Sequence, residues 1–251
     1  MSDGGMTREL VATACRVLAH RGLAPGILGH VSLRVGPDRL LVRCRGPRER
    51  GLAFTTAEDI RLVTLDGEPG ASGELDDGYA VPNELPLHTE VLRTRPDVDA
   101  VVHAHPADTV AADLAGLAVR PIVGAFDIPG AHLAAGGVPV YPRAVLIRNR
   151  ALAAEMVAAL GDRPVVLLRG HGLTATGASV PEAVLRARSV DTLAGMALAV
   201  AGAGGIPVDL PPEDLAELPD LGGGFTHDTA WRHEVASLPP VTAPGVPPAA
   251  G

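Results

Sequence analysis

The sequence predicts a single α/β domain, and three observations carry that expectation. Short β-branched runs alternate along the chain with amphipathic or Ala-rich stretches, the mixture in which helices pack against a sheet. The length, 251 residues, allows one substantial domain. The hydrophobic fraction of 47% supplies a sizeable core, built from Ala, Val and Leu because aromatics make up only 2%. No internal repeat interrupts this pattern.

Taken in order, residues 6–22 predict an opening amphipathic helix, with Thr7 as its cap, Leu10, Val11, Cys15, Val17 and Leu18 as a rough apolar face, and Gly22 ending it. Strand-like runs follow at His30–Val35, Arg39–Cys44 and 59–66. Residues 66–78, rich in Gly, Asp and Glu, predict solvent-facing turns. A helix is expected from Leu85 to Thr94, closed by Pro96, then a strand over 98–103 and a helix over 106–116. The segment 121–137 contains Pro129, Gly130, Gly136 and Gly137 and predicts loop and short strand. Beyond it come a helix over 148–160, a strand over 164–169 and a long Ala-rich helix over 181–203, with Pro181 suited to a first turn. The domain is expected to span 1–238, and the Pro- and Ala-rich 239–251 to form a disordered tail.

Composition removes several function classes. A net charge of −8 argues against a nucleic-acid binder. No apolar stretch reaches the length of a membrane span, and the first residues lack the regions of a signal peptide. Cys15 and Cys44 form neither a disulfide framework nor a zinc motif, so a reducing, cytoplasmic setting is expected. All 21 basic residues are arginine. Without lysine there is no Schiff base and no attachment point for pyridoxal phosphate, so a developing negative charge needs another partner. A metal ion meets that need.

The histidines point the same way. His103 and His105 are two apart at the end of a β-branched run, and residues two apart on a strand share a face. His171 follows a second short apolar run and is flanked by Gly170 and Gly172, which permit close approach. Three histidines with an open position make a catalytic rather than a structural metal arrangement. Glu84, at a helix start favourable to a carboxylate, could bind the metal, carry a proton, or serve only as a cap. His88 reads as a satisfied helix histidine or a group behind the site, and His30 after Gly29 as lining a ligand-binding turn. Arg43, Arg45, Arg48 and Arg50 could offer a carboxylate one or two guanidinium groups, or be solvated loop charges.

In combination, Gly29-His30-Val31-Ser32-Leu33-Arg34, Asn83-Glu84-Leu85-Pro86-Leu87-His88-Thr89-Glu90, Arg95-Pro96-Asp97-Val98-Asp99-Ala100-Val101-Val102-His103-Ala104-His105 and Gly170-His171-Gly172 resemble the class II aldolase/adducin family, from about Thr7 to Ala203. The resemblance implies a three-layer α/β/α domain with a central, mainly antiparallel sheet. It implies one divalent metal on His103, His105 and His171, zinc before manganese or iron, and Glu84 as the acid/base group. It further implies a homotetramer with active sites at subunit interfaces.

Departures from the sugar-phosphate aldolases are informative. Gly29-His30 stands where they have Gly-Asn, Arg45-Gly46-Pro47 where they have Thr-Gly, and Pro82-Asn83 where they have a serine pair. Those elements hold a phosphate, so His30, Arg45 and Asn83 are expected to bind a different small-molecule substrate. The aldolases' tyrosine acid is also missing from Gly124-Ala125-Phe126-Asp127. Arg43-Cys44-Arg45-Gly46-Pro47 and Val138-Pro139-Val140-Tyr141-Pro142 are more similar to the decarboxylase branch, which includes enzymes acting on dihydroxylated aromatic acids of the 3,4-dihydroxyphthalate type. The expected function is a metal-dependent carbon–carbon lyase, a decarboxylase of a non-phosphorylated carboxylate. The alternatives are a sugar-phosphate aldolase or epimerase, an iron-dependent oxygenase, and a non-catalytic scaffold. Trp231 and His233, near the C terminus, either close over a neighbouring subunit's site or anchor the last helix.

Overall fold

A computed structural model describes residues 3–240. The tail expected over 239–251 falls almost wholly outside the described residues. The elements run α1 (Asp3–His20), β1 (His30–Arg34), β2 (Arg39–Arg43), β3 (Ile60–Thr64), α2 (Leu85–Thr94), β4 (Ala100–Ala104), α3 (Ala107–Leu114), α4 (Ile128–Ala134), β5 (Val140–Tyr141), α5 (Arg150–Leu160), β6 (Val165–Leu168), β7 (Gly172–Gly177), α6 (Val180–Gly202), α7 (Pro212–Glu217) and α8 (Trp231–Ala236). The seven strands form one sheet in the order β3-β2-β1-β4-β7-β6-β5. Every pairing is antiparallel except β5 with β6.

Period-two alternation divides the strands between two cores. Val31, Ala100, Val102, Ala104, Val165, Leu167, Leu173 and Ala175 face one side, where they meet buried residues of α1, α3 and α6. Leu40, Val42, Val101, Val166 and Leu168 face the other, where α2 and α5 supply Leu87, Val91, Met156 and Leu160. Helices thus cover both faces, the three-layer arrangement expected. The same parity sends Ser32 and His103 to the α2/α5 side, because each alternates with residues of the first core. Register aligns them: His30 pairs with His103 and Ser32 with Val101 across β1 and β4, while His103 pairs with Thr174 across β4 and β7.

Several local expectations need correction. Thr7 lies inside α1, which begins at Asp3, and so is not its cap. The expected loop at 121–137 contains α4. Pro129 sits in its first turn, where a missing N–H costs nothing, and Asp127 caps it by accepting from Gly130 N at 3.1 Å. Gly136 and Gly137, both at positive φ, then turn the chain away. The strand β7, Gly-Leu-Thr-Ala-Thr-Gly, is missing from the sequence reading because Gly and Ala have low strand propensity. Its small residues are what the position requires: a Cβ at Gly177 would come 2.8 Å from Ala183 N at the start of α6.

Among the described residues, no helix is long and apolar enough to cross a membrane. Glycine is also required where β7 begins. A Cβ on Gly172 would stand 2.2 Å from the Ala104 carbonyl oxygen and 3.1 Å from His105 Cα. Gly172→Ala is therefore expected to force β4 and β7 apart at the end that carries His105 and His171. The expected cost is about 2–4 kcal/mol of stability, together with lost metal retention. Thermal unfolding and elemental analysis of the purified variant check this; a wild-type melting temperature would contradict the packing argument.

Candidate metal centre

Glu84, His103, His105 and His171 bring four ligand atoms within 4.8 Å of one another. Each comes from a different local device. His103 is the last residue but one of β4 and is wholly buried. Its Nδ1 donates to the Leu173 carbonyl at 3.0 Å, and because a carbonyl only accepts, Nε2 keeps its lone pair for the centre. His105 lies just past β4, its backbone N–H held by Leu23 O at 2.9 Å, and its Nε2 comes 2.8 Å from His103 Nε2. His171 sits in the tight β6–β7 turn, whose His171 N–H donates to Leu168 O at 2.9 Å. Gly170 makes that turn at φ +57°, and its N–H donates to the buried Asp113 carboxylate at 2.7 Å.

Glu84 stands at the start of α2. Its Oε1 accepts from Ile147 N at 2.9 Å, while Oε2 lies 3.2 Å from His103 Nε2 and 3.6 Å from His171 Nε2. Burial pushes this carboxyl's pKa up, but the adjoining His103 and His171 rings, with the Ile147 N–H that donates to Oε1, together outweigh burial and hold it well below the usual carboxylate range. Glu84 is thus ionised and belongs to the ligand cluster rather than acting as a cap; no side-chain cap bond is formed. Burial first, then the neighbouring imidazoles, lowers His105 to about 3, so it is neutral near pH 7. Imidazole nitrogens and a carboxylate converging in a partly buried space direct their donor atoms at one another. A divalent cation fits that donor set.

Behind the cluster, His88 of α2 is fully buried. Its Nε2 lies 2.7 Å from His30 Nδ1 and its Nδ1 lies 2.7 Å from Ser32 Oγ. It is satisfied, as expected for a helix histidine, but its partner His30 is a pocket residue. Burial lowers His88 to about 3, with His103 adding to the effect, and burial and the same imidazoles push His30 well down.

A pocket of about 380 Å³ opens over the centre. His30, Arg45, Asn83, Glu84, His105 and His171 line it, with Leu28, Val145 and Leu146 as apolar wall. The structure therefore brings His30, Arg45 and Asn83 to one cavity with three of the metal-site residues. Of the four clustered arginines, Arg43 is buried and paired with Glu49, and Arg50 lies 4.9 Å over the Phe54 ring. Arg45 is exposed and, among the described residues, forms no side-chain hydrogen bond or ion pair. Trp231 packs against the α1/α6 core, while His233 lies 3.2 Å from Arg21 and lines a different cavity. Within one chain these two residues anchor α8, helped by buried Glu234, which pairs with Arg21 and Arg188. Asp113 and Ser32 were not singled out in the sequence, because their partners Gly170 and His88 lie far along the chain.

Comparison with known proteins agrees with this geometry. The chain is 73% identical over 231 residues to 3,4-dihydroxyphthalate decarboxylase of Arthrobacter keyseri, covering 92% of this chain and 93% of the relative. It is 70% identical over 239 residues to the enzyme of that name from a Terrabacter strain, covering 95% and 100%. L-fuculose phosphate aldolase of an Escherichia coli strain is 29% identical, over 77% of this chain and 83% of its own. An aldolase II superfamily protein from Pseudomonas syringae superposes with a TM-score of 0.78 at 25% identity, covering 95% and 94%. The model for the Class II Aldolase and Adducin N-terminal domain matches residues 9–198, the stretch that holds all four members of the metal cluster, and the chain belongs to that family.

Proposed function

We propose that this protein is a divalent-metal-dependent decarboxylase of 3,4-dihydroxyphthalate or a close dihydroxylated aromatic acid. The observation that carries this reading is Arg45, among the described residues the one arginine lining the pocket and without a side-chain partner, beside an apolar wall and over a His₃Glu centre. That pocket offers a flat ring an apolar wall and offers one carboxylate a bidentate partner. Identity to the two 3,4-dihydroxyphthalate decarboxylases supports the same substrate class.

His103, His105, His171 and Glu84 would hold the ion, which when bound supplies positive charge beside the substrate oxygen that gains electrons. Arg45 binds the carboxylate that stays on the ring. Glu84, ionised at rest, takes the proton of a ring hydroxyl at Oε2. It returns that proton to the ring carbon bearing the departing carboxylate, ortho or para to the hydroxyl. The C–C bond then breaks, CO₂ leaves, and the bond's electron pair restores the aromatic ring and the phenolate. Water supplies the last proton, so aryl carboxylate plus one proton gives arene plus CO₂. The same reading takes the ion as zinc, the assembly as a homotetramer with sites at subunit boundaries, and the setting as cytoplasmic. In such an assembly Trp231 and His233 could reach a neighbour's site while anchoring α8 in their own chain.

Incubation of the zinc- or manganese-loaded protein with 3,4-dihydroxyphthalate is expected to give equal amounts of CO₂ and dihydroxybenzoate, to stop on chelation, and to resume on metal return. Cleavage of a ketose phosphate without CO₂ release would sink the reading, and oxygen uptake with an iron-loaded sample would replace it with the oxygenase. Glu84→Gln is expected to lower kcat by about 10²–10⁴-fold. Arg45→Gln should lower kcat/KM by roughly 10–100-fold through the lost charge-assisted pair, with metal content unchanged. Equal kinetics for Arg45→Gln and wild type would remove its assigned role.

Burial also sets a pH window. His88 takes up a proton at about 3 in the fold but near 6.5 in the unfolded chain. Between those values the unfolded state binds more protons, so the stability is complete above pH 6.5 and drains away as pH falls towards 3. From pH 7 to pH 5 the loss from His88 alone is about 2 kcal/mol. Urea unfolding of the metal-free protein at the two pH values measures it, and His88→Asn should flatten the dependence. An unchanged slope in that variant would assign the loss to other groups.

A further inference from the structure

We propose that His30 donates a hydrogen bond from Nε2 to the substrate's ring oxygen, and that His88 and Ser32 are positioning residues that hold His30 in the tautomer able to do so. This deepens the decarboxylase reading and rests on it for the identity of the oxygen.

Three buried groups stand in line on the α2/α5 face of the sheet: Ser32 Oγ, the His88 ring and the His30 ring, with both links at 2.7 Å. His30 and Ser32 are two apart on β1 and share its face, and His88 reaches them one turn into α2. His30 lies opposite His103 in the β1–β4 ladder, their ring centroids 5.0 Å apart, and lines the pocket. Its Nδ1 is taken by His88, so Nε2 is the ring nitrogen left for a ligand.

Counting protons fixes the direction of the chain. A neutral imidazole carries one N–H and one bare nitrogen. If His88 Nδ1–H donated to Ser32, the serine's own O–H would need a second acceptor, and among the described residues Ser32 Oγ has no partner besides His88. If instead Ser32 O–H donates to His88 Nδ1, then His88 Nε2–H donates to His30 Nδ1, and every proton of the buried chain has an acceptor. His30 Nε2 then carries the hydrogen and presents a neutral donor to the pocket. Such a donor serves the oxygen that carries charge once its proton is taken and regains it as CO₂ departs. Because it is fixed by buried partners, it needs no reorientation at that moment. His88 touches no pocket ligand itself; its effect passes through His30.

The test combines spectra with kinetics on the zinc-loaded full chain. Proteins labelled with ¹⁵N-histidine, with the His30 signals assigned by their loss in His30→Gln, are expected to show His30 as the Nε2–H tautomer. Ser32→Ala, a near-isosteric change, is expected to mix the two tautomers and lower kcat about tenfold, with KM within about twofold and metal content unchanged; Ser32→Thr should restore both signals and rate. His30→Ala should cost about 10²-fold in kcat, and adding Ser32→Ala to it should cost nothing more, as for residues acting through one another. A bare Nε2 on His30, a kinetically silent Ser32→Ala, or additive losses in the double variant would each overturn the proposal. The tautomer readout decides the relay even if wild type releases no CO₂ from 3,4-dihydroxyphthalate, an outcome that would instead defeat the activity reading.

Discussion

The rest of the site depends on four ligand atoms, three imidazole nitrogens and one carboxylate oxygen, brought within 4.8 Å of one another at the floor of a pocket. Assembling them costs desolvation, and the fold offsets part of that cost with backbone partners. Leu173 O takes the His103 N–H, Ile147 N–H meets Glu84 Oε1, and Leu23 O steadies the His105 backbone. None of these partners neutralises the convergence of lone pairs at the centre. A cation that binds the folded chain better than the unfolded one does so, and its binding then adds to stability by linkage. Metal site and β4–β7 junction are therefore one energetic unit rather than a ligand set placed on an indifferent scaffold.

What the sequence made legible follows from which geometry is local. His103 and His105 were readable because strand periodicity is two, and Gly170-His171-Gly172 because a turn between short apolar runs calls for glycine. Glu84 was readable as a helix-start carboxylate, but its membership of the ligand cluster depends on a helix and three strand ends meeting in space. Asp113 gave no signal, and Ser32 stood only as one position of a motif with no role attached. One is an ordinary α3 residue whose partner, Gly170, is 57 positions away, and the other a strand serine whose partner, His88, is 56 away. The strand β7 was hidden for a related reason: its Gly and Ala lower strand propensity, and the need for small residues arises only when α6 packs onto it.

The arginine cluster shows why composition alone could not choose a substrate. Arg43, Arg45 and Arg50 look alike in sequence. Arg43 points inward, where Glu49 neutralises it, and Arg50 covers a phenylalanine ring. Only Arg45 combines pocket lining with a guanidinium free of side-chain partners among the described residues. A buried, paired arginine contributes to shape and stability but has no charge left to spend on a ligand. The one available guanidinium in the pocket can engage a carboxylate through two bonds.

The two faces of the sheet divide the work. On the α1/α6 side, Ala, Val and Leu pack without a polar function, and small side chains let the long helix α6 lie close. On the α2/α5 side the same strands, one residue out of phase, present Ser32, His103 and Thr174. A one-residue slip of β4 would exchange His103 with an apolar neighbour and lose both the core and the centre. The apolar face therefore enforces the register on which the chemistry depends: core and site cannot vary independently, because each is the other's reverse side.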